Sequence, residues 1–298
     1  MSALPLDGLP GHRRFVLSPG RRMKNTVMQV TLVMATVLVL CLLLLIVGYV
    51  VYKGASAINF DFFTQLPAPV GAVGGGVANA LVGTLELILL ASCLGMPIGI
   101  LSGIYLAEFG DNPLADVIGF VTDILTGVPS IIVGVFAYAV LVVPFHQFSA
   151  ISGGLALGIL MIPIVTRTTA GILALVPKEL REGSLALGVG ERQTILRVVL
   201  PAAAGGIATG VMLSIARVAG ETAPLLFTAF GNQYWQFSVG KPVAALPLLI
   251  FQYAISPYAD WHAKAWAGSF LLIVVVFLAS LLTRLATRNA SVGLGRQR

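Results

Sequence analysis

The stretch PKELREGSLALGVGERQTILRVVLP, residues 177–201, decides how the rest of the chain is interpreted. Pro177 suits the first turn of a helix, and apolar or small side chains follow at helical spacing until Gly188 ends the pattern. A second amphipathic helix is predicted for residues 191–200, and Pro201 marks the return of the chain to the membrane. The stretch therefore predicts a hairpin of two short helices joined by a glycine turn. Such a hairpin could enter a groove on a partner protein, or it could pack only on its own helices.

The sequence on either side of this hairpin is too apolar for a soluble domain. Of its 298 residues, 57% are hydrophobic and 10% are charged, whereas charged residues make up about a quarter of a typical soluble domain. The same composition excludes a disordered chain. Cys41 and Cys93 both lie in apolar runs, and the three histidines are far apart, so neither a disulfide scaffold nor a metal site is predicted. The composition indicates a membrane protein.

Six apolar segments are each long enough to cross a hydrocarbon core of ~30 Å as a helix. They cover about residues 25–52, 77–107, 117–144, 150–176, 202–230 and 265–282. Helices are expected because lipid-facing backbone must satisfy its own hydrogen bonds, and the segments lack the alternation of barrel strands. The first segment is interpreted as a retained anchor, since its apolar region of 28 residues far exceeds that of a cleaved signal. The predicted fold class is all-α, a polytopic membrane protein with six transmembrane helices.

The distribution of positive charge predicts the orientation, because loops rich in lysine and arginine stay in the cytoplasm. Thirteen of the 18 lysines and arginines lie in residues 1–24, in the hairpin, or from Arg284 to the end of the sequence. Both termini are therefore expected to be cytoplasmic. The predicted organisation is a cytoplasmic tail 1–24, a first transmembrane helix 25–52, an external loop 53–76, a core of five transmembrane helices 77–285 that includes the hairpin 177–201, and a cytoplasmic tail 286–298. This topology explains the net charge of +6, so no nucleic-acid partner is predicted.

A pair of opposite charges in the fifth segment is the main candidate for a transport path, since charges inside a membrane are costly and tend to serve a function. On a continuous helix, Ser214, Arg217 and Glu221 would share one face. Arginine matches two oxygens of a phosphate or carboxylate, whereas the glutamate would repel an anion. The pair is therefore interpreted as a gate or as a binding site. An ion pair that only lowers the cost of insertion, or that ties the helix to a neighbouring subunit, would have the same spacing.

Charges in the third and fourth segments have simpler interpretations. Arg167 is flanked by threonines and could be a second donor cluster, although a side chain that reaches the cytoplasmic surface is the preferred interpretation. Asp123 is expected to be stabilised by a helix dipole and water. The candidate residues of the path are Arg217, Glu221, Ser214, Thr222 and Arg167.

Glycines spaced by four predict close contacts between helices, because they let two backbones approach. They are Gly95, Gly99 and Gly103 in the second segment, Gly154 and Gly158 in the fourth, and Gly206 and Gly210 in the fifth.

The hairpin resembles the EAA loop of permease subunits in ATP-binding-cassette (ABC) importers, which has the pattern Glu-Ala-Ala-x3-Gly-x9-Ile-x-Leu-Pro. The matching positions are Glu182, Gly183, Ser184, Gly188, Val198, Leu200 and Pro201. Small residues replace the two alanines, and valine replaces isoleucine. The resemblance implies that this loop docks into a cleft of a separate ATPase, which would hold ATP and magnesium. The chain contains no Gly-x4-Gly-Lys-Ser/Thr motif of its own, so we expect it to have no catalytic site and no cofactor.

A closer resemblance extends over residues 25–285. The segment ARVAGETAPLLFTA, residues 216–229, is similar to PstA-type permeases of the bacterial phosphate importer, within the binding-protein-dependent transport permeases. Residues 76–80, 103–108, 128–134 and 163–169 resemble the same family. The resemblance implies a type I permease bundle in the bacterial inner membrane that works by alternating access. It also implies a PstC-type permease partner, two copies of a PstB-type ATPase, an external PstS-type phosphate-binding protein, and a role for Arg217 and Glu221 in phosphate passage.

Other functions remain open on the residues alone. Arg217 would suit another oxyanion, such as sulfate or molybdate, equally well. An ion-coupled secondary transporter would use Glu221 as its titrating group. A third hypothesis is a subunit that serves assembly and does not transport.

Overall fold

The computed structural model describes residues 19–69, 72 and 74–295. These residues divide into two compact units, one up to Tyr49 and one from Val50 onward. The described part of the chain is helical and contains no strand, only an isolated bridge between Phe230 and Val243. Four of the tail arginines used for the orientation lie outside the described residues: Arg13, Arg14, Arg296 and Arg298.

The helices follow one another in a simple order. They are α1 Pro19–Gly54, α2 Phe60–Thr64, α3 Ala78–Glu108, α4 Pro113–Gly127, α5 Ser130–Ala137, α6 Val143–Phe145, α7 Ala150–Ala174, α8 Lys178–Ala186, α9 Glu191–Thr194, α10 Leu200–Ala219, α11 Ala223–Thr228, α12 Leu246–Ala254 and α13 Ala259–Gly295. A 3-10 turn, Ala55–Ala57, follows α1, and π-helical turns at Tyr138–Val142 and Ile195–Val199 join α5 to α6 and α9 to α10.

Across residues 19–69, 72 and 74–295, five helices are long and apolar enough to cross a membrane. They are Gly20–Ala57, Ala78–Glu108, Ala150–Ala174, Glu191–Ala219 and Ala259–Thr283. A bent pair, Pro113–Gly127 with Ser130–Phe145, passes the same test of length and composition when its two helices are taken together, and it is called the third span below. The predicted all-α fold is confirmed, and five of the six predicted spans are found, with the bent pair in the place of the third.

The third span is not the uninterrupted helix expected over residues 117–144. Its two halves meet at an angle of 103°. The bend follows from Pro129, which lacks a backbone N–H and disfavours helical geometry in the residue before it. Val128 accordingly adopts an extended conformation, with φ −72° and ψ 127°. The helix restarts at Ser130, so that a helix N-terminus lies within the span.

The fifth span also differs from its prediction at both ends. The short helix predicted for residues 191–200 is not separate from this span, because Glu191–Ala219 is one helix. The π-helical turn before Pro201, in which the Leu200 N–H donates to the Ile195 carbonyl, accommodates the proline. At the other end, the helix stops at Ala219 instead of continuing to residue 230, and the short helix α11 begins after Thr222 with a proline in its first turn.

The predicted glycine contacts join α3 to α7. A Cβ at Gly95, Gly99 or Gly103 would lie 2.7, 2.6 or 2.6 Å from the Cβ atoms of Met161, Val165 and Thr169, respectively. Gly154 and Gly158 on α7 face Leu90 and Leu94 on α3 in the same way. These contacts confirm the predicted close packing. They make α3 and α7 a tightly matched pair at the centre of the second unit.

The fifth span packs on this pair through its own glycines. Gly206 contacts Ile172, and Gly210 contacts Thr168, so α10 also lies close to α7. Buried apolar residues of α3, α7, α10 and α11 form one continuous core, which includes Leu87, Leu157, Val165, Val211 and Leu225. The outer faces carry many exposed large apolar side chains, as expected of helices that face lipid.

Candidate functional site

Arg217 and Glu221 come together at the end of α10. The Arg217 Nε lies 3.9 Å from the Glu221 Oε1. The prediction that both occupy one continuous helix was wrong, because α10 ends at Ala219. They still face each other, since the Gly220 and Glu221 N–H groups bond to the carbonyls of Arg217 and Val218 and extend the helix by one tighter turn. The Arg217 side chain is 65% exposed, whereas that of Glu221 is only 19% exposed.

A polar cavity of about 140 Å³ lies beside this pair. Its lining comes from three spans: Leu125, Thr126, Val128, Pro129 and Ser130 of the third, Leu160, Pro163 and Ile164 of the fourth, and Arg217, Val218 and Glu221 of the fifth. The break of the third span at residues 128–129 therefore opens onto the same space as the end of α10. Arg217 brings a positive charge to this space, and Ser130 is the first residue of the helix that restarts there.

The two interrupted spans are held together just beyond the cavity. A Cβ at Gly134 on α5 would lie 2.7 Å from the Pro224 Cα and 3.3 Å from the Phe227 side chain on α11. The restarting halves of the third and fifth spans thus pack so closely that their backbones are in contact. This contact fixes the two breaks opposite one another.

Three of the five predicted path residues lie outside the cavity lining: Ser214, Thr222 and Arg167. Ser214 is fully buried, and its Oγ has no hydrogen-bond partner in the part of the chain that the structure describes. Thr222 precedes α11 and accepts a backbone hydrogen bond from Leu226 through its carbonyl. Neither residue lines the cavity of Arg217 and Glu221.

Arg167 forms an ion pair with Asp123, which sequence reasoning had missed. The pair joins α7 to α4, and the Arg167 guanidinium also approaches the Gly119 carbonyl at 3.4 Å. Both side chains are exposed to a second, open cavity of about 690 Å³, which does not include Arg217. The prediction that a helix dipole and water stabilise Asp123 thus left out its charged neighbour. The sequence signal that could have predicted this ion pair is the presence of opposite charges in two consecutive apolar segments.

The hairpin is closed by a bond between two hydroxyls. The Ser184 and Thr194 oxygens lie 2.8 Å apart, and both side chains are buried. Gly188 forms the turn with φ +79°, a conformation that favours glycine. Glu182, Gly183 and Pro201 are exposed, and Leu200 is half-buried. The second arm is not a separate short helix, since it continues into the fifth span.

Several leucine side chains of the hairpin are exposed. Leu187 is 85% exposed, and Leu180 and Leu185 are exposed as well. Ser184 between them is buried, so the leucines and not the small residue form the exposed part of this arm. Exposed leucines beside charged residues are typical of a protein-docking surface.

Arg181 and Glu108 are a further pair that the sequence interpretation used only as loop charges. The Arg181 Nη2 lies 2.8 Å from the Glu108 Oε1, which ties α8 to the last residue of α3. For metals, the described residues contain no group of three or more His, Cys, Asp or Glu side chains that could hold an ion.

Comparison with known families identifies a transport component. A family model described as the binding-protein-dependent transport system inner membrane component matches residues 95–292. The phosphate transport system permease protein PstA of Yersinia pestis is 46% identical over 266 residues, which cover 89% of this chain and 90% of that protein. PstA of Mycobacterium leprae is 37% identical over 284 residues, which cover 92% and 93% of the two chains.

Solved structures show a similar fold. The inward-facing MetNI methionine ABC transporter aligns with a TM-score of 0.57 at 21% identity, covering 72% of this chain and 94% of that chain. An amino acid ABC transporter crystallised with histidines aligns with a TM-score of 0.55 at 16% identity, covering 72% and 92%. At these identities, the likeness concerns the arrangement of helices and not the cargo.

Proposed function

Since this chain belongs to the binding-protein-dependent transport permeases, and within them to the PstA family, we propose that it is the permease subunit of an ATP-driven importer of inorganic phosphate. The observation that carries the proposal is the position of Arg217. Its guanidinium is largely exposed beside a polar cavity where the third and fifth spans are both interrupted. Interrupted helices that meet inside a membrane are typical of substrate sites in transporters.

The chemistry of the cavity favours an oxyanion. A guanidinium presents a planar fork of donors that matches two oxygens of phosphate. The helix N-terminus at Ser130 supplies backbone N–H groups and the positive end of a helix dipole in the same lining. These groups would compensate part of the hydration that phosphate loses when it enters the protein.

Glu221 lowers the affinity of the site for an anion. Its carboxylate lies beside Arg217 at a distance too long for a tight ion pair, so that it partly neutralises the guanidinium without occupying it. An anion in the cavity is therefore attracted by Arg217 and repelled by Glu221. A transport path needs this balance, because an anion that is bound too tightly does not leave. We propose the pair as a transient site, with Ser214, Thr222 and Arg167 as further residues along the path.

We propose that the hairpin is the part of this chain that binds the ATPase, which is the motor of the importer. Its exposed leucines would occupy a cleft on a PstB-type ATPase, and closure of two ATPase copies on ATP would move the helix bundle between inward-open and outward-open states. ATP and magnesium would be held by the ATPase, and this chain would perform no chemistry. A PstC-type permease would supply the other half of the path, and a PstS-type protein would deliver phosphate from outside.

The chain is a multi-pass membrane protein. We propose the bacterial inner membrane as its location, with both termini in the cytoplasm. In this arrangement residues 1–24 and 286–298 are the cytoplasmic tails, residues 25–52 the first transmembrane helix, residues 53–76 an external loop, and residues 77–285 the permease core.

The test is transport by the reconstituted four-component complex in vesicles, with labelled phosphate supplied together with the binding protein. We expect uptake that requires ATP and is unchanged when the proton gradient is collapsed. Arsenate should compete, because it has the same charge and shape, while sulfate and molybdate should not. Uptake that needs no ATPase and disappears with the proton gradient would favour a secondary transporter. Stronger competition by sulfate or molybdate would assign another oxyanion, and residual uptake without this chain would make it an assembly subunit.

A further inference from the structure

The Arg181 side chain lies at the junction of three helices. Its Nε and Nη2 atoms donate to the two carboxylate oxygens of Glu108, at 3.3 and 2.8 Å. Its Nη1 donates to the Val176 carbonyl at 2.8 Å, and its Nη2 also donates to the Leu173 carbonyl at 3.0 Å. The side chains of Arg181 and Glu108 are only 22% and 8% exposed. One guanidinium thus makes four hydrogen bonds in a mostly buried position.

Each acceptor belongs to the end of a membrane-spanning helix. Glu108 is the last residue of α3, and Leu173 and Val176 lie in and just after the last turn of α7. Carbonyl groups at the C-terminal end of a helix carry partial negative charge, as does the carboxylate. A positive, planar fork is therefore the side chain that fits all of these acceptors at once. Through it, α8 is attached to the ends of both helices.

The other arm of the hairpin has a different attachment. Ser184 on α8 bonds to Thr194, and Thr194 belongs to the helix that continues into α10. The hairpin is therefore fixed to the α3–α7 pair by Arg181 and to the fifth span by the hydroxyl pair. Both α7 and α10 line the cavity beside Arg217, with Pro163 and Ile164 on α7 and Arg217 on α10.

We propose that Arg181 is a positioning residue that passes the movement of α8 to the α3–α7 pair. With Arg181 in place, a displacement of α8 moves α3 and α7 as one body, because these two helices are closely matched through their glycines. Without it, α8 keeps its attachment to the fifth span but loses its hydrogen bonds to the ends of α3 and α7, and the linker of residues 175–177 still joins it to α7. This inference rests on the proposed function, since it requires a motor that pushes on the hairpin.

The test measures phosphate uptake and ATP hydrolysis together in vesicles that contain the reconstituted complex. Arg181→Lys keeps the charge but loses the planar fork, and Arg181→Gln loses both. Glu108→Gln is nearly isosteric and removes only the charge of the partner. It therefore tests the same contact if the Arg181 variants do not assemble. We expect ATP hydrolysis to persist in each variant, while phosphate taken up per ATP falls by about tenfold, the size of effect typical of one lost coupling contact.

Arg22 supplies the matched control, because it is an exposed arginine on α1, outside the hairpin. Arg22→Lys and Arg22→Gln should leave the ratio of uptake to hydrolysis unchanged. The inference is overturned if the Arg181 and Glu108 variants keep the wild-type ratio. It is also overturned if they lose assembly, hydrolysis and uptake together, because Arg181 would then only stabilise the fold. Failure of the wild-type complex to take up phosphate with ATP would instead contradict the proposed function.

Discussion

Arg217 and Glu221 lie 3.9 Å apart, from Nε to Oε1, on either side of the residue at which helix α10 ends. The pair is close enough to interact and too far apart for a direct hydrogen bond. Arg217 thus keeps donors available to an anion while a negative charge stays beside it.

Replacing Arg217 by glutamine should abolish transport while the subunits of the complex stay associated. We expect uptake of labelled phosphate to fall by about 100-fold, which corresponds to the loss of a charge-assisted contact with the anion. The subunits should still purify together, because the side chain is mostly exposed. Arg22→Gln on α1 serves as the control. If Arg217→Gln instead removes the assembled complex from the membrane, the arginine is a structural tie and not a transport residue.

Replacing Glu221 by glutamine should make the site hold phosphate more tightly. Removal of the neighbouring negative charge leaves the full attraction of Arg217, so we expect about fivefold tighter binding to the purified complex and slower turnover. Equilibrium binding of labelled phosphate in the absence of the binding protein measures the first effect, and uptake at saturating phosphate measures the second. Glu221→Asp keeps the charge and should resemble the wild type. Weaker binding in Glu221→Gln would contradict the proposed balance between the two residues.

The close contact between α3 and α7 should not accept even one methyl group at Gly99. A Cβ there would lie 2.6 Å from the Val165 Cβ and 3.1 Å from the Ile162 carbonyl oxygen. We expect Gly99→Ala to destabilise the purified permease by about 1–3 kcal/mol, as overpacking does elsewhere, and to lower its midpoint of thermal unfolding.

Gly171 on α7 is the matched control for Gly99. A Cβ at Gly171 would meet no described atom within 4 Å. Gly171→Ala should therefore leave the midpoint unchanged or raise it slightly, since alanine favours a helix. Equal midpoints for the Gly99 and Gly171 variants would show that the two helices can separate at no cost.

The exposed Leu187 at the tip of the hairpin should be needed for contact with the ATPase. Its side chain is 85% exposed, so Leu187→Asp should not change the thermal unfolding of the isolated permease. It should weaken binding of the ATPase by about 1–3 kcal/mol, the value of burying one large apolar side chain. Titration of the purified ATPase onto the permease measures this change, and Leu187→Met controls for size and polarity. Unchanged affinity of the aspartate variant would place the docking surface elsewhere.

The number and length of the spans were predictable because they depend on local properties. A run of about 20 apolar residues has one stable arrangement in a membrane, and the chain contains six such runs. The ends of the helices were less predictable. Pro97, Pro129 and Pro163 all lie in apolar runs, yet Pro97 and Pro163 stay inside α3 and α7, whereas Pro129 ends α4. The local effect of a proline is the same in each case, and the packing around it decides whether the helix continues.

Contacts between residues close in sequence were predictable, whereas contacts between residues on different helices were not. Arg217 and Glu221 are four positions apart, and the tighter turn after α10 kept them together even though the helix ended. The pairing of Arg167 with Asp123 and of Arg181 with Glu108 links residues that are 44 and 73 positions apart. Such pairs depend on which helices are adjacent, and the composition of each segment carries no information about that.

The π-helical turn at Ile195–Val199 sets the rotation of the hairpin about the axis of the fifth span. A turn closed by five-residue bonds contains one residue more than a regular helix needs, and each residue of a helix rotates the chain by about 100°. Deleting one residue from this turn would leave a continuous helix but would rotate the docking leucines by that angle around its axis with respect to Arg217. The angle about the helix axis between the exposed leucines of the hairpin and Arg217 therefore depends on the number of residues in this turn as well as on their identity.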